Sequence, residues 1–237
     1  MLLKRKTSAE TLKLQEKYGV PYLVFPSLEN TGLVRHAFST RLGGCSTGDL
    51  ATMNLSSTRG DDPENVKENF RRFGAVVGFD PKDLVLSLQT HTTNVRLVTE
   101  EDRGKGFTRP RDYKDVDGLI TNVPGLVLAT FYADCVPLYF VDPVHRAIGL
   151  SHSGWRGTVN RMGEVTLQRM KEAFGTRPSD VWTAIGPSIC QDCYEVSEDV
   201  IQAFAKNYDR AVMKEICYRK ENGKYQLNLW KANELIF

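Results

Sequence analysis

Apolar residues along this chain recur with two spacings, and the change from one to the other marks its elements. Tyr22-Leu23-Val24-Phe25, Val34 to Ser39, Leu84 to Leu88, Val95 to Val98 and Val181 to Gly186 are short runs rich in β-branched and aromatic residues. Such runs read as strands, and Gly118-Leu119-Ile120-Thr121 reads as another behind the turn at Asp117. Helical spacing appears at Val66, Phe70 and Phe73, behind a start signal, Asp62-Pro63-Glu64. A second helix is predicted over Val159 to Phe174, with Val159, Met162, Thr166, Met170 and Ala173 as its inner stripe. Ser197 is predicted to cap a third helix carrying Val200, Ile201 and Phe204. Asn222-Gly223 is a hairpin turn, and the last residues form an amphipathic helix.

The polar segment from Glu100 to Asp115 contains Gly104, Gly106 and Pro110 and reads as a loop long enough to border a cleft. Residues 1–20 are predicted to form an irregular or helical arm. Strands outnumber helices and do not alternate strictly with them. That pattern predicts one α+β domain with mixed sheets over residues 1–237 rather than a doubly wound parallel sheet.

One stretch organises the rest: Leu126 to Gly157, LVLATFYADCVPLYFVDPVHRAIGLSHSGWRG. Its runs LVLATFYA and AIGL each lead into a polar element, Asp134-Cys135 after the first and Ser151 to Gly157 after the second. A thiol and an imidazole at strand ends suit catalysis or metal binding.

Composition adds only bounds. With 41% hydrophobic residues, 25% charged residues and a net charge of +2, the chain lacks the basic field of a nucleic-acid or membrane-surface protein. No apolar run reaches the roughly 18–20 residues a membrane helix needs, and the basic start lacks the continuous apolar stretch of a secretory signal. Five cysteines without framework spacing read as free thiols in a cytoplasmic protein.

The chain has four histidines. His91 and His152 follow strands beside small polar residues, as Cys135 does. Two imidazoles and a thiolate are the ligand set of a catalytic zinc whose fourth position is left to water or substrate. The same atoms fit two other chemistries. Cys135 can be a nucleophile with His152 as its base, and His2Cys also describes an electron-transfer copper site. The three residues lie far apart in sequence, so only folding can gather them. His36 is predicted to be packed in a strand, and His145 to sit exposed in a turn. Cys190 and Cys193 form a lone C-x-x-C; without a second pair, or a thioredoxin-like βαβ context, neither a zinc knuckle nor a redox role follows from the spacing. Arg41 with the Gly43-Gly44 turn, and Arg156 behind Gly154-Trp155, offer guanidinium groups and open backbone to an anion. A plain hairpin turn with a solvated arginine is the competing reading for Arg41, and a structural salt bridge the competing reading for Arg156.

Several motifs occur together and in order: His36-Ala37-Phe38-Ser39-Thr40-Arg41 with Gly43-Gly44; Asn54-Leu55-Ser56; Gln89-Thr90-His91; Asp117-Gly118-Leu119; Ala133-Asp134-Cys135; His152 to Gly157; Ile185 to Ile189; and Cys193 to Val196. This set resembles the YfiH-like family, known under the labels laccase-like polyphenol oxidoreductase, purine nucleoside phosphorylase and peptidoglycan editing factor. The resemblance implies a four-layer α/β/β/α fold shared with a group of cysteine hydrolases. It implies one zinc held by His91, Cys135 and His152, with copper as the other candidate metal. It implies phosphorolysis of adenosine, inosine and S-methyl-5'-thioadenosine, with adenosine deamination as a second activity. Arg41, Gly43, Gly44, Asn54 and Arg156 become candidates for binding nucleoside and phosphate. A cysteine hydrolase acting on peptidoglycan precursors is the alternative. A multicopper oxidase is disfavoured, since four scattered histidines do not supply the clustered pairs of a trinuclear site. The deaminase signature H-x-E with P-C-x-x-C is absent. Two features depart from the family pattern: Thr92 stands where glycine usually follows the histidine, and the chain as given reaches Phe237 without the family's Tyr-Arg-Arg-rich C-terminal segment.

Overall fold

The computed structural model describes residues 11–237. In chain order its elements are β1 (Lys13–Lys17), β2 (Val20–Val24), α1 (Pro26–Glu29), β3 (Phe38–Ser39), α2 (Pro63–Val77), β4 (Leu84–Leu86) and β5 (Val95–Leu97). Then follow β6 (Gly118–Thr121), β7 (Val127–Ala129), β8 (Val136–Asp142), β9 (Ala147–Ser153), α3 (Trp155–Val159) and α4 (Met162–Phe174). The chain continues through β10 (Trp182–Ile185), β11 (Glu195–Val196), α5 (Glu198–Ala205), α6 (Arg210–Ile216), β12 (Cys217–Arg219), β13 (Tyr225–Leu227) and α7 (Leu229–Ile236).

The central sheet has the order β10-β8-β9-β6-β5. It is mixed: β5 runs parallel to β6, and every other neighbouring pair is antiparallel. All seven residues of β8 are buried, as expected of a strand covered on both faces. One face, with Ile120, Leu138 and Phe140, packs under α4, α5 and α7 through Met162, Met170, Phe204 and Leu229. The other face presents Leu119 to Val85 of β4, and Tyr139 and Val141 to Phe25 and Leu28. The two-stranded parallel sheet of β4 and β7 and the three-stranded sheet of β1, β2 and β3 form the second β layer. Helix α2 closes it from outside, with Phe70 against Leu84 and Leu86, and with Phe73 and Val76 against Tyr22 and Val24. The layers therefore run α/β/β/α.

The start signal of α2 behaves as expected: Asp62 Oδ1 accepts the Glu64 N–H at 2.9 Å, and Pro63 occupies the first turn. Other expectations change. The part of the N-terminal arm that is described is a strand, β1, held by pairing with β2, where an irregular or helical arm was expected; the first ten residues lie outside the described ones. The Val34–Ser39 run shortens to β3, and LVLATFYA to β7. VPLYFVD, not singled out by the apolar pattern, is β8 of the five-stranded sheet, so Cys135 stands at the entry of a strand rather than after the end of one. Ser151-His152-Ser153 belongs to β9 itself. The long helix predicted from Val159 breaks in two at Arg161, whose φ of 57° no glycine or proline announces. Ala173 faces solvent rather than the inner stripe. Helix α6 was not foreseen. Ser197 starts α5 without bonding its first turn and turns its hydroxyl to Asp199 instead. No helix among the described residues is long and apolar enough to cross a membrane.

Candidate metal centre

Three strand ends meet at the rim of a cleft of about 1550 Å³. His91 follows β4, Cys135 precedes β8 and His152 is the penultimate residue of β9. Their ligand atoms all lie within 4.8 Å of one another.

Backbone pairing positions two of the three. In the β8–β9 ladder Val136 opposes Ser153 and Pro137 opposes His152, which sets Cys135 beside the imidazole. His152 N also donates to Asp117 O at 2.7 Å, so β9 is tied at this point to the entry of β6. His91 is placed by side chains instead. Gln89 stands in for a strand residue: its Nε2 donates to Phe131 O at 2.7 Å and its Oε1 accepts Phe131 N at 2.8 Å. The next residues turn back, and His91 adopts a left-handed φ of 65°. A non-glycine residue is uncommon there. Asp117 holds the turn. Its Oδ1 accepts the N–H of His91 at 3.0 Å; its Oδ2 accepts those of Thr90 at 3.1 Å and Thr92 at 2.9 Å, and the Thr92 hydroxyl at 2.9 Å. The Thr92 hydroxyl thus makes a bond to Asp117 that a glycine could not.

The same carboxylate accepts His152 Nδ1 at 2.8 Å, and it is fully buried. Burial alone would raise its pKa; the donors from His152, Thr92 and Thr90 outweigh burial and hold it at about 2. For His152 burial pulls the pKa down, but the Asp117 bond and then the Cys135 sulfur prevail and lift it to about 9. An ionised acceptor at Nδ1 fixes a proton there and leaves Nε2 as the nitrogen facing the cluster, the one whose proton a metal ion would displace. A carboxylate behind a ring of this kind orients metal-ligating histidines. Tyr132, half-buried, covers the His152 ring at 5.7 Å between centroids and donates to Ser151 O at 3.2 Å.

The donor set fits a single tetrahedral metal. With Zn–S about 2.3 Å and Zn–N about 2.1 Å, tetrahedral angles put sulfur and nitrogen about 3.6 Å apart; Cys135 Sγ and His91 Nε2 stand at 3.8 Å. His152 is buried, Cys135 half-buried and His91 exposed, so the set opens toward the cleft. Gly154 keeps the space clear. A Cβ there would lie 2.8 Å from Cys135 Sγ and 3.1 Å from His91 Cδ2.

The other candidates are more dispersed. Arg41 lines the cleft and donates to Asp49 O at 2.8 Å and Ala51 O at 3.3 Å. Gly43 has a φ of 88° and packs on Gly19 and Val20, and a Cβ on Gly44 would lie 2.0 Å from Thr52 O. Asn54, also in the cleft wall, bonds Asp61 at 2.8 Å and Ser56 O at 3.1 Å. Arg156 is exposed on α3, with its guanidinium 4.4 Å from the Trp155 ring centroid. His36 accepts the Phe25 N–H at 2.8 Å and stacks on that ring. His145 is half-buried rather than exposed, held by Asp142 at 2.8 Å. Neither joins the metal cluster. All five cysteines are free.

Asp117, Tyr132 and Gly154 were not singled out as site residues by the sequence. An acid just ahead of a buried strand was a usable signal for Asp117. Tyr132 sat inside an apolar run and gave none.

Residues 35–237 match the family model described as multi-copper polyphenol oxidoreductase laccase. A purine nucleoside phosphorylase of Bacteroides thetaiotaomicron is 39% identical over 216 residues, covering 90% of this chain and 79% of its own. An adenosine deaminase, RL5, from an unknown prokaryotic organism is 34% identical, covering 84% and 76%. The crystal structure of a Bacillus licheniformis hypothetical protein YfiH superposes with a TM-score of 0.87 at 29% identity, covering 96% of this chain and 83% of that one. With its α/β/β/α layers and its His-Cys-His rim, the chain belongs to the laccase-like, YfiH-like family.

Proposed function

We propose that the protein is a cytoplasmic, single-zinc purine nucleoside phosphorylase that splits adenosine, inosine and S-methyl-5'-thioadenosine with phosphate, and that it deaminates adenosine as a side reaction. One observation carries the reading: His91, Cys135 and His152 converge within 4.8 Å at the edge of a large cleft, with Asp117 orienting one ring and Gly154 leaving room. The names of the phosphorylase and deaminase relatives point to the same substrate class. A zinc ion held by these three ligands supplies Lewis-acid polarisation of a substrate oxygen. The chain's own residues do the rest. Asp117 keeps the His152 proton on Nδ1. Arg41, on the cleft wall with Asn54, presents the guanidinium edge that is not bonded to carbonyls to the phosphate, and the Gly43-Gly44 turn follows it in the chain. Arg156 is a second phosphate candidate from α3. Copper in the same donor set is the other metal to test.

Elemental analysis of purified protein is expected to give about one zinc per chain, lost in His91→Ala and Cys135→Ala. Release of free purine from inosine is expected to require phosphate and to fall at least 100-fold in both variants. Undiminished phosphorolysis by metal-stripped protein refutes the proposal.

A second reading rests on the Asp117–His152–Cys135 series, an oriented base beside a thiol. It makes the protein a cysteine hydrolase acting on peptidoglycan precursors. Chelator-insensitive alkylation of Cys135 by iodoacetamide, with loss of an amidase activity, distinguishes it from the zinc enzyme.

A further inference from the structure

Behind the metal rim, and separate from it, lies a pair of thiols to which the proposed function gives no role. Cys190 and Cys193 flank a single 3-10 turn, Gln191–Cys193. Cys193 N donates to Cys190 O at 3.1 Å, the bond that closes a four-residue turn. Such closure keeps the first and last Cα atoms within about 7 Å, and disulfides span Cα separations of about 4.4–6.8 Å. Cys190 is half-buried and Cys193 exposed, so reagents reach the pair from solvent.

The turn is anchored on both sides. Ahead of it, Ile189 N donates to Asp134 O at 3.0 Å; behind it, Leu227 N donates to Tyr194 O at 3.1 Å. Within it, the Asp192 carbonyl accepts Gln226 Nε2 at 3.2 Å, and Gln191 Oε1 accepts Asn228 Nδ2 at 3.4 Å. A backbone fixed in this way holds the two Cα atoms within the range a disulfide spans. Cys45 and Cys217 differ. Their sulfurs are spent on protein carbonyl and amide oxygens, Cys217 on Met213 O at 3.2 Å and Cys45 on Asn69 Oδ1 at 3.3 Å, and neither has a hydrogen-bonded cysteine neighbour.

We propose that Cys190 and Cys193 form a reversible thiol–disulfide site, oxidised by peroxides or by low-molecular-weight disulfides and reduced by low-molecular-weight thiols. With a peroxide, the Cys190 thiolate attacks one oxygen; the S–O bond forms, the O–O bond breaks and the departing oxygen leaves as water. The Cys193 sulfur then attacks the Cys190 sulfur; the S–S bond forms, the S–O bond breaks, and the Cys193 proton leaves with hydroxide as a second water. Two thiols lose two electrons and two protons, and the peroxide gains them. With a small disulfide the same electrons leave as two free thiols. Cys190 is the attacking partner on its surroundings: the neighbouring Cys193 thiol and then the Cys193 amide hold its pKa below the ordinary thiol value, although burial works the other way. Cys193 shifts upward in consequence and acts as the resolving thiol.

The test uses the full-length, metal-loaded protein equilibrated in glutathione buffers of increasing oxidation, quenched with a thiol-blocking reagent, and mapped as non-reduced peptides. The expected result is a two-hydrogen mass loss within the one peptide holding Cys190 and Cys193, reversed by dithiothreitol. Cys190→Ser and Cys193→Ala each abolish that mass loss, and Cys135→Ser retains it. Mapping the wild type needs no variant to fold. A disulfide linking Cys135 to either residue, or five blocked thiols under every buffer, overturns the proposal. A chain that forms the Cys190–Cys193 bond but phosphorolyses no nucleoside leaves this site intact and refutes only the function proposed above.

Discussion

Asp117→Asn is the substitution with the sharpest consequences. The carboxylate accepts five hydrogen bonds with no solvent contact: His152 Nδ1 and His91 N at Oδ1, and Thr90 N, Thr92 N and Thr92 Oγ1 at Oδ2. An amide has one oxygen to offer. If its NH2 takes the Oδ2 place, two backbone donors lose their acceptor. If it takes the Oδ1 place, the His91 N–H is orphaned and His152 must accept at Nδ1. The imidazole proton then moves to Nε2, the atom aimed at the cluster, and that ligand is lost. A buried donor left unsatisfied costs about 1–3 kcal/mol, so one or two of them destabilise the fold by about 2–4 kcal/mol. Removing the orienting partner of a metal-bound histidine weakens binding about 10–100-fold. Urea denaturation of the metal-stripped protein reads the first effect, and chelator competition for zinc at pH 7.5 reads the second. A variant that binds zinc within about threefold of the wild type would refute the role of Asp117 in setting the ring.

Gly154→Ala is expected to leave the fold near its native stability while weakening zinc binding at least 10-fold, because the added Cβ lies 2.8 Å from the Cys135 sulfur; zinc content and a melting curve separate the two effects. Asp102, a buried residue of the Glu100–Asp115 segment, is held at a pKa of about 2: burial opposes the charge, and Lys105, the Thr99 N–H and Arg96 outweigh burial. A pKa below the unfolded value stabilises the fold above about pH 4, and that stabilisation vanishes as pH falls toward 2. Asp102→Asn should therefore cost about 2 kcal/mol at pH 7, and the gap to wild type should narrow to about half in urea titrations near pH 3 and close below about pH 2. Phe140→Ala, which empties a site against the Phe237 ring at 5.5 Å, is expected to cost about 3–5 kcal/mol in the same assay without altering the metal ligands.

The sequence alone determined what is local. Asp62-Pro63 fixed where α2 begins, because a cap and a proline act on the next turn of chain. Asn222-Gly223 turned β12 into β13 for the same reason. The residue types of the metal rim, and the motifs around them, were legible as chemistry. What the fold alone decided is non-local. Val136–Asp142 became a strand buried on both faces because helices cover one face and Phe25 and Leu28 the other, and no window of seven residues records that. Arg161 breaks a helix whose spacing runs on unbroken, because docking α3 and α4 together overrides propensity. Asp117 is a turn residue until the β6–β9 register sets Gly118 opposite Ser151 and draws its carboxylate under three backbone amides and an imidazole. The sequence carried the ligands; strand register, a property of pairs of distant segments, set Cys135 beside His152, and the Gln89 and Asp117 side chains brought His91 to them.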